Sequence, residues 1–176
     1  MKKLLNEELN RKTVAEFKNA GKNPVVVVLD HVRSLNNIGS IFRTCDAFLI
    51  EGLFLCGITA TPPHREISKT ALGATESVHW QYFEHTIDAI QFLKNNGYLV
   101  YAVEQTVHSI MLNQLSLSKE CKYALIFGHE IHGVAQSVVD ICDGAIEIPQ
   151  HGTKHSLNIA VSAGIVLWEF FRFYQQ

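Results

Sequence analysis

Val25-Val-Val-Val-Leu-Asp-His-Val-Arg-Ser-Leu-Asn-Asn-Ile-Gly-Ser-Ile-Phe-Arg-Thr-Cys45 opens with five consecutive apolar residues, four of them β-branched, and then changes its period. A run without polar alternation reads as a strand buried on both faces, as in a parallel sheet covered by helices on either side. After the polar stretch from Asp30, apolar residues return at Ile38, Ile41/Phe42, Cys45 and Phe48/Leu49, the spacing of one helix face. Strand, polar loop and helix in succession are the unit of an α/β fold.

The alternation continues outward from this unit. Short apolar runs at Leu53–Cys56, Val78–Phe83, Tyr98–Val103, Tyr123–Phe127 and Ala145–Ile148 read as further strands, and Ile87, Ile90 and Leu93 mark a helix that stops at Asn96-Gly97. Upstream, residues 4–20 set Leu5, Leu9 and Phe17 among Glu, Lys and Asn, an amphipathic helical segment ended by Gly21-Lys-Asn-Pro24. Downstream, Ile159-Ala-Val-Ser-Ala-Gly-Ile-Val-Leu-Trp-Glu-Phe-Phe171 predicts a helix that is apolar on nearly every side. The expected fold class is therefore α/β with a mainly parallel sheet. A length of 176 residues suits one domain over residues 1–176, with 1–22 as a helical N-terminal extension.

With 47% hydrophobic and 18% charged residues the chain has the composition of a folded globular protein. A formal charge of −2 removes any global basic field, so contact with nucleic acid must be local. The N-terminus breaks into charge after Leu4-Leu5, unlike a secretory signal, and the apolar run Ile159–Trp168 is well short of the ~20 residues of a membrane span. A cytoplasmic protein with no membrane association is expected. Cys45, Cys56, Cys121 and Cys142 are scattered without a Cys-x-x-Cys pair, which suits buried, reduced thiols.

In a parallel sheet ligands sit beyond the carboxyl ends of the strands, which directs attention to loops 30–40, 104–110, 128–134 and 149–158. In the first, Asn36 or Asn37 capping the helix with Arg43 in solvent is one reading, and an Asn and an Arg gripping a phosphate or anionic substrate is the other. In Gly128-His-Glu-Ile-His-Gly133 the glycines fit a tight turn whose amides approach a ligand faced by Glu130, or a plain turn in which Glu130 caps the next helix. His129 and His132 are one residue short of the His-Glu-x-x-His zinc spacing, with no cysteine nearby, so no metal is expected. In the last loop Ser156 or Asn158 is placed to cap the terminal helix. Dinucleotide, phosphate-loop and nucleophile-elbow motifs are missing from the sequence.

Taken in order, these segments resemble the SpoU branch of the SPOUT RNA methyltransferases. The first motif matches Asn37-Ile38-Gly39 and Arg43, and continues through Thr44 and Ala47. The second, a hydrophobic strand entering Gly-x-Glu-x-x-Gly, matches Leu125 to Gly133, and the third matches Ile148-Pro149 and Ser156-Leu157-Asn158. Leu72-Gly73-Ala74 is similar to a further stretch of the family. The resemblance runs from about residue 25 to the C-terminus.

The resemblance implies a C-terminal deep trefoil knot within residues 123–176 and S-adenosylmethionine bound there. Carried over by position, its contacts are Val103, Glu104, Phe127, Gly128, Gly133, Ile148, Pro149, Gln150, Ser156 and Leu157. The implied reaction is methyl transfer to a ribose 2′-hydroxyl of RNA, tRNA favoured over rRNA, with Arg43, Asn37, Glu130, Ser156 and Asn158 as catalytic residues. RNA would meet a local cluster of Arg33, Arg43, Arg65 and Lys69. A homodimer is also implied, and the apolar helix ending in Trp168, Phe170, Phe171 and Tyr174 fits it independently, burial in the core of one monomer being the other reading. The rival reading is a catalytically idle cofactor- or RNA-binding module of the same fold.

Overall fold

The computed structural model describes residues 1–176, the side chain of Asn6 excepted. The chain runs α1 (Val14–Asn19), β1 (Asn23–Asp30), α2 (Leu35–Ala47), β2 (Ile50–Cys56), α3 (Arg65–Ala71), α4 (Ala74–Ser77) and β3 (Trp80–Phe83). It continues through α5 (Thr86–Asn95), β4 (Tyr98–Val103), β5 (Ile110–Met111), β6 (Lys122–Phe127), α6 (Gln136–Val139), β7 (Gly144–Glu147) and α7 (Ile159–Tyr174).

The strands form one sheet in the order β3-β2-β1-β6-β4-β7-β5, with parallel pairing throughout. Two late strands are inserted between earlier ones, β6 between β1 and β4 and β7 between β4 and β5. The apolar run in β1 has the predicted cause. Val25, Val27 and Leu29 face a layer containing Ile38, Ile41 and Phe42 of α2 with Val166 and Phe170 of α7, while Val26 and Val28 face Ala89, Ile90 and Leu93 of α5. With both faces covered, the five positions Val25–Leu29 are all apolar, and the strand's buried polar residues, Asn23 and Asp30, sit at its two ends.

Gly39 explains itself through packing. A Cβ there would lie 2.1 Å from Thr70 Oγ1 and 2.3 Å from the Ile67 carbonyl oxygen, so the glycine lets α2 and α3 approach closely.

Several expectations change. The segment 4–20 is not one helix: a 3-10 turn at Asn6–Leu9 ends at Asn10, whose φ is 48°, and α1 starts afresh. The cause is a capping box, in which Thr13 Oγ1 accepts from the Glu16 amide at 3.2 Å and the Glu16 carboxylate accepts from the Thr13 amide at 2.7 Å. The cap of α2 is Ser34, whose hydroxyl accepts from the Asn37 amide at 3.3 Å, so neither Asn36 nor Asn37 serves as N-cap. In α5 the inward face is Thr86, Ala89, Ile90 and Leu93, which leaves Ile87 exposed. The run from Val78 forms a strand only from Trp80, because Val78 closes α4. Cys45 and Cys56 are buried but Cys121 and Cys142 only partly so, and all four are free thiols. Burial pushes the Cys56 thiol up to about 12.

Candidate active site

Beyond the carboxyl ends of β4, β6 and β7 lies a cavity of about 660 Å3, within the size range of small-molecule sites. Val103, Phe127 and Ile146 from the strand ends form its base, and loops 128–134 and 148–158 form its walls. Of the residues expected to hold a cofactor, Val103, Glu104, Phe127, Gly128, Gly133, Ile148, Gln150, Ser156 and Leu157 line it. Pro149 does not; it is exposed on the outside of the loop. Gln105 and Val134, from two of the loops singled out in the sequence, also line it, as does Ser162 of α7, which carried no local signal.

The walls are held by their own backbone. His129 and Gly133 exchange amide-to-carbonyl bonds of 3.0 and 2.8 Å, and a Cβ on Gly128 would lie 2.1 Å from the Gly133 carbonyl carbon. The close approach that requires glycine at 128 is therefore within the loop itself. His129 Nδ1 accepts from the Ile131 amide at 3.0 Å, and its ring lies 4.8 Å from that of His132. Glu104 fastens the loop from below: Oε2 accepts from the Val134 amide at 3.0 Å and Oε1 from the Gln105 amide at 2.9 Å. Gly133 has φ +66°, a conformation that favours glycine, and a Cβ there would lie 2.1 Å from Glu104 Oε2, so a side chain would also displace the carboxylate that holds the loop. The opposite wall is tied by Gln105 Nε2, which donates to the His155 carbonyl at 2.7 Å.

A polar relay crosses the rim of this cavity. Glu130 Oε1 accepts from the Ser34 amide at 2.8 Å and Oε2 from the Arg33 amide at 3.1 Å. Asn37 Nδ2 donates to Glu130 Oε1 at 3.3 Å, and Asn158 Nδ2 donates to Asn37 Oδ1 at 3.2 Å. Asn158 Oδ1 also accepts from the amides of Ala160 and Val161 at 2.9 and 3.4 Å, which makes Asn158, not Ser156, the N-cap of α7. Glu130 thus satisfies amides at the entry of α2, nearly a hundred residues upstream, instead of capping the helix that follows it. Burial alone would raise its pKa, but the Arg33 and Ser34 amides and the Asn37 side chain together hold it below the ordinary carboxylate value.

Ser156 is exposed at the cavity wall. Arg43 is exposed on α2 and, like Asn37, is not among the residues that line the cavity; no hydrogen bond among the described residues ties it to the Glu130, Asn37 and Asn158 relay. Arg33 and Arg65 are exposed with no ion pair among the described residues, whereas Lys69 is paired with Glu66 at 2.7 Å. Among the described residues no group of three or more His, Cys, Asp or Glu side chains is placed to hold a metal ion. No described helix is long and apolar enough to cross a membrane.

A model of the SpoU rRNA Methylase family matches residues 24–168. The chain belongs to this family. The match spans all three polar loops, the strand ends that form the cavity and most of α7. Among curated proteins, the tRNA (guanosine(18)-2′-O)-methyltransferase of Thermus thermophilus is 29% identical over 162 residues, 92% of this chain and 81% of the relative. The enzyme of the same name from Aquifex aeolicus is 30% identical over 166 residues, 92% of this chain and 75% of the relative. Among solved structures, an AdoMet-bound rRNA methyltransferase from Sinorhizobium meliloti superposes with a TM-score of 0.79 at 28% identity, covering 89% of this chain and 60% of that one.

Proposed function

We propose that this chain is an S-adenosylmethionine-dependent methyltransferase acting on a ribose 2′-hydroxyl of RNA, with tRNA favoured over rRNA. The observation that carries the reading is the relay from Glu130 through Asn37 to Asn158, which joins the three motif loops at the rim of the cavity. The names of the Thermus and Aquifex relatives support tRNA, and the Sinorhizobium structure supports the cofactor.

The cavity fits that cofactor chemically. Ile148 and Leu157 offer apolar surface for the adenine ring, backbone groups at Phe127 and Gly128 suit its polar edge, and the Glu104 carboxylate suits a cationic ligand. When bound, S-adenosylmethionine supplies an electrophilic methyl group on its sulfonium. The protein's task is then to hold the hydroxyl in line with that methyl and to exclude other geometries. Both Glu130 oxygens are engaged by backbone amides, so Glu130 is a positioning residue that sets Asn37. Ser156 and Asn158 hold the substrate side of the wall in register. Arg43 pins a phosphate and polarises the hydroxyl; as a guanidinium it stays protonated near neutral pH, which ranks a general-base role second.

The reading includes one domain, a C-terminal trefoil knot and a homodimer. Insertion of β6 and β7 between earlier strands, with α7 returning to pack on α2, supports the knot against the usual avoidance of threading. One face of α7 packs inward through Ile159, Ala163, Val166, Leu167 and Phe170, while Val161, Ile165 and Trp168 form an exposed apolar stripe that supports a second copy as partner. The position of Arg43 outside the cavity of its own copy supports a site completed across two copies.

Calorimetry with S-adenosylmethionine, followed by tritiated methyl transfer into bulk tRNA and rRNA from a strain lacking the gene, tests the proposal. Transfer into tRNA that is resistant to alkaline cleavage at one nucleotide is the expected result. Cofactor binding without transfer into either RNA would overturn the enzyme reading in favour of an idle module.

A further inference from the structure

We propose that His31, Gly57 and Tyr82 form a stacking platform for an unpaired nucleobase of the RNA, beside the proposed ribose site. This rests on the RNA methyltransferase reading above but adds a subsite that the three motifs do not contain.

The platform is built where the loops leaving β1 and β2 meet the edge strand β3. His31 has φ 57°, a left-handed conformation that a side-chain-bearing residue keeps only when its surroundings hold it. Its ring lies flat over Gly57: a Cβ at that glycine would lie 2.2 Å from the imidazole. Nδ1 accepts from the Ile58 amide at 3.5 Å, and Nε2 is 4.0 Å from Asp30 Oδ1. Asp30 is itself buried, held by the Thr86 hydroxyl and by the Ala135 amide at 3.3 Å. Thr59 locks the two loops together, donating to the Leu29 carbonyl at 3.1 Å and accepting from the Val32 amide at 2.9 Å. On the other side of Gly57 the Tyr82 hydroxyl donates to the Gly57 carbonyl at 3.0 Å.

For all this bracing, both rings remain open to solvent: the His31 side chain is 47% exposed and Tyr82 46%, with Ile58 beside them at 61%. Rigid, exposed rings bind a flat partner without a further ordering penalty. The surrounding charge selects the partner. The exposed Arg33, in the loop after β1, and Arg65, the first residue of α3, suit the phosphates on either side of a stacked base. A single-stranded or looped RNA segment has such bases to offer, whereas a duplex hides them. The platform also adjoins the loop whose Arg33 and Ser34 amides bind Glu130, so a base held here lies beside the polar relay.

The test uses the double variant His31→Asn/Tyr82→Ala. Asn tolerates the left-handed conformation, and both rings are lost. Fluorescence anisotropy with bulk tRNA and with a short labelled oligoadenylate is expected to show about tenfold weaker binding or more, the scale of a lost base stack. KM for tRNA rises in parallel, while the affinity for S-adenosylmethionine and the melting temperature stay near wild type. Tyr82→Phe, which keeps the ring, binds within about twofold of wild type, unlike a variant of a purely structural hydroxyl. Wild-type-like binding of both probes by the double variant, with methyl transfer by the wild type intact, would overturn the platform alone. A wild type that binds both probes but transfers no methyl would strike the enzyme reading, and weaker binding by the double variant would still uphold the platform.

Discussion

The side-chain amide of Asn158 donates to Asn37 Oδ1 at 3.2 Å, joining the first residue before α7 to the first turn of α2 across 121 positions of chain. Because Asn158 Oδ1 caps α7 at the same time, one side chain fixes a helix start and orients a candidate catalytic group.

These two duties can be separated. Asn158→Asp keeps the cap but loses the donor to Asn37, so methyl transfer is expected to fall at least tenfold with little change in melting temperature. Asn158→Ala loses both, with a stability loss of about 1 kcal/mol. Thermal melting beside tritium transfer distinguishes the outcomes. Equal activity of wild type and Asn158→Asp would remove the relay from the mechanism.

Gly39 is a packing residue at the α2–α3 contact. Gly39→Ala gains helix propensity but drives a methyl group against the Ile67 carbonyl, and overpacking wins, with a loss of about 1–3 kcal/mol in urea unfolding. A stabilised variant would show that the two helices can separate freely.

Glu130 predicts a pH dependence. Its folded pKa lies below the ordinary 4.5, so its contribution is fully present above that value and is lost as pH falls through the lowered one. The stability difference between wild type and Glu130→Gln is therefore flat from neutral pH down to about 5 and shrinks on further acidification. Urea unfolding across that range reads it. A difference that grew on acidification would reverse the assignment.

Glu104 is one of three carboxylates that line the cavity, with Glu130 and Glu147. Removing its charge in Glu104→Gln is expected to weaken S-adenosylmethionine binding about tenfold by calorimetry, the scale of a hydrogen bond to a charged group. An affinity within twofold of wild type would confine Glu104 to holding the loop of Val134.

Trp168 and Ile165 are 51% and 38% exposed on α7. Ile165→Glu with Trp168→Glu is expected to shift sedimentation to the monomer while leaving the fold intact, since neither side chain is in the core of its own copy. An unshifted dimer would place the seam elsewhere.

Local pattern was enough for much of this molecule. Val25–Leu29 could only be a strand covered on both faces, the helical spacing from Ile38 to Cys45 announced α2, and three polar loops at strand ends marked the site, because periodicity and turn chemistry act over a few residues. Gly39 and Glu130 were visible as motif residues, but their partners were not. Whether Glu130 caps the helix after it or the entry of α2, whether glycine at 128 serves a ligand or its own loop, and whether Arg43 reaches the cavity all depend on where distant segments return. The insertion of β6 next to β1 brings Glu130 to the entry of α2 and so decides the first of these. Strand order is set by how whole layers bury their apolar faces together, and no window of sequence contains that information.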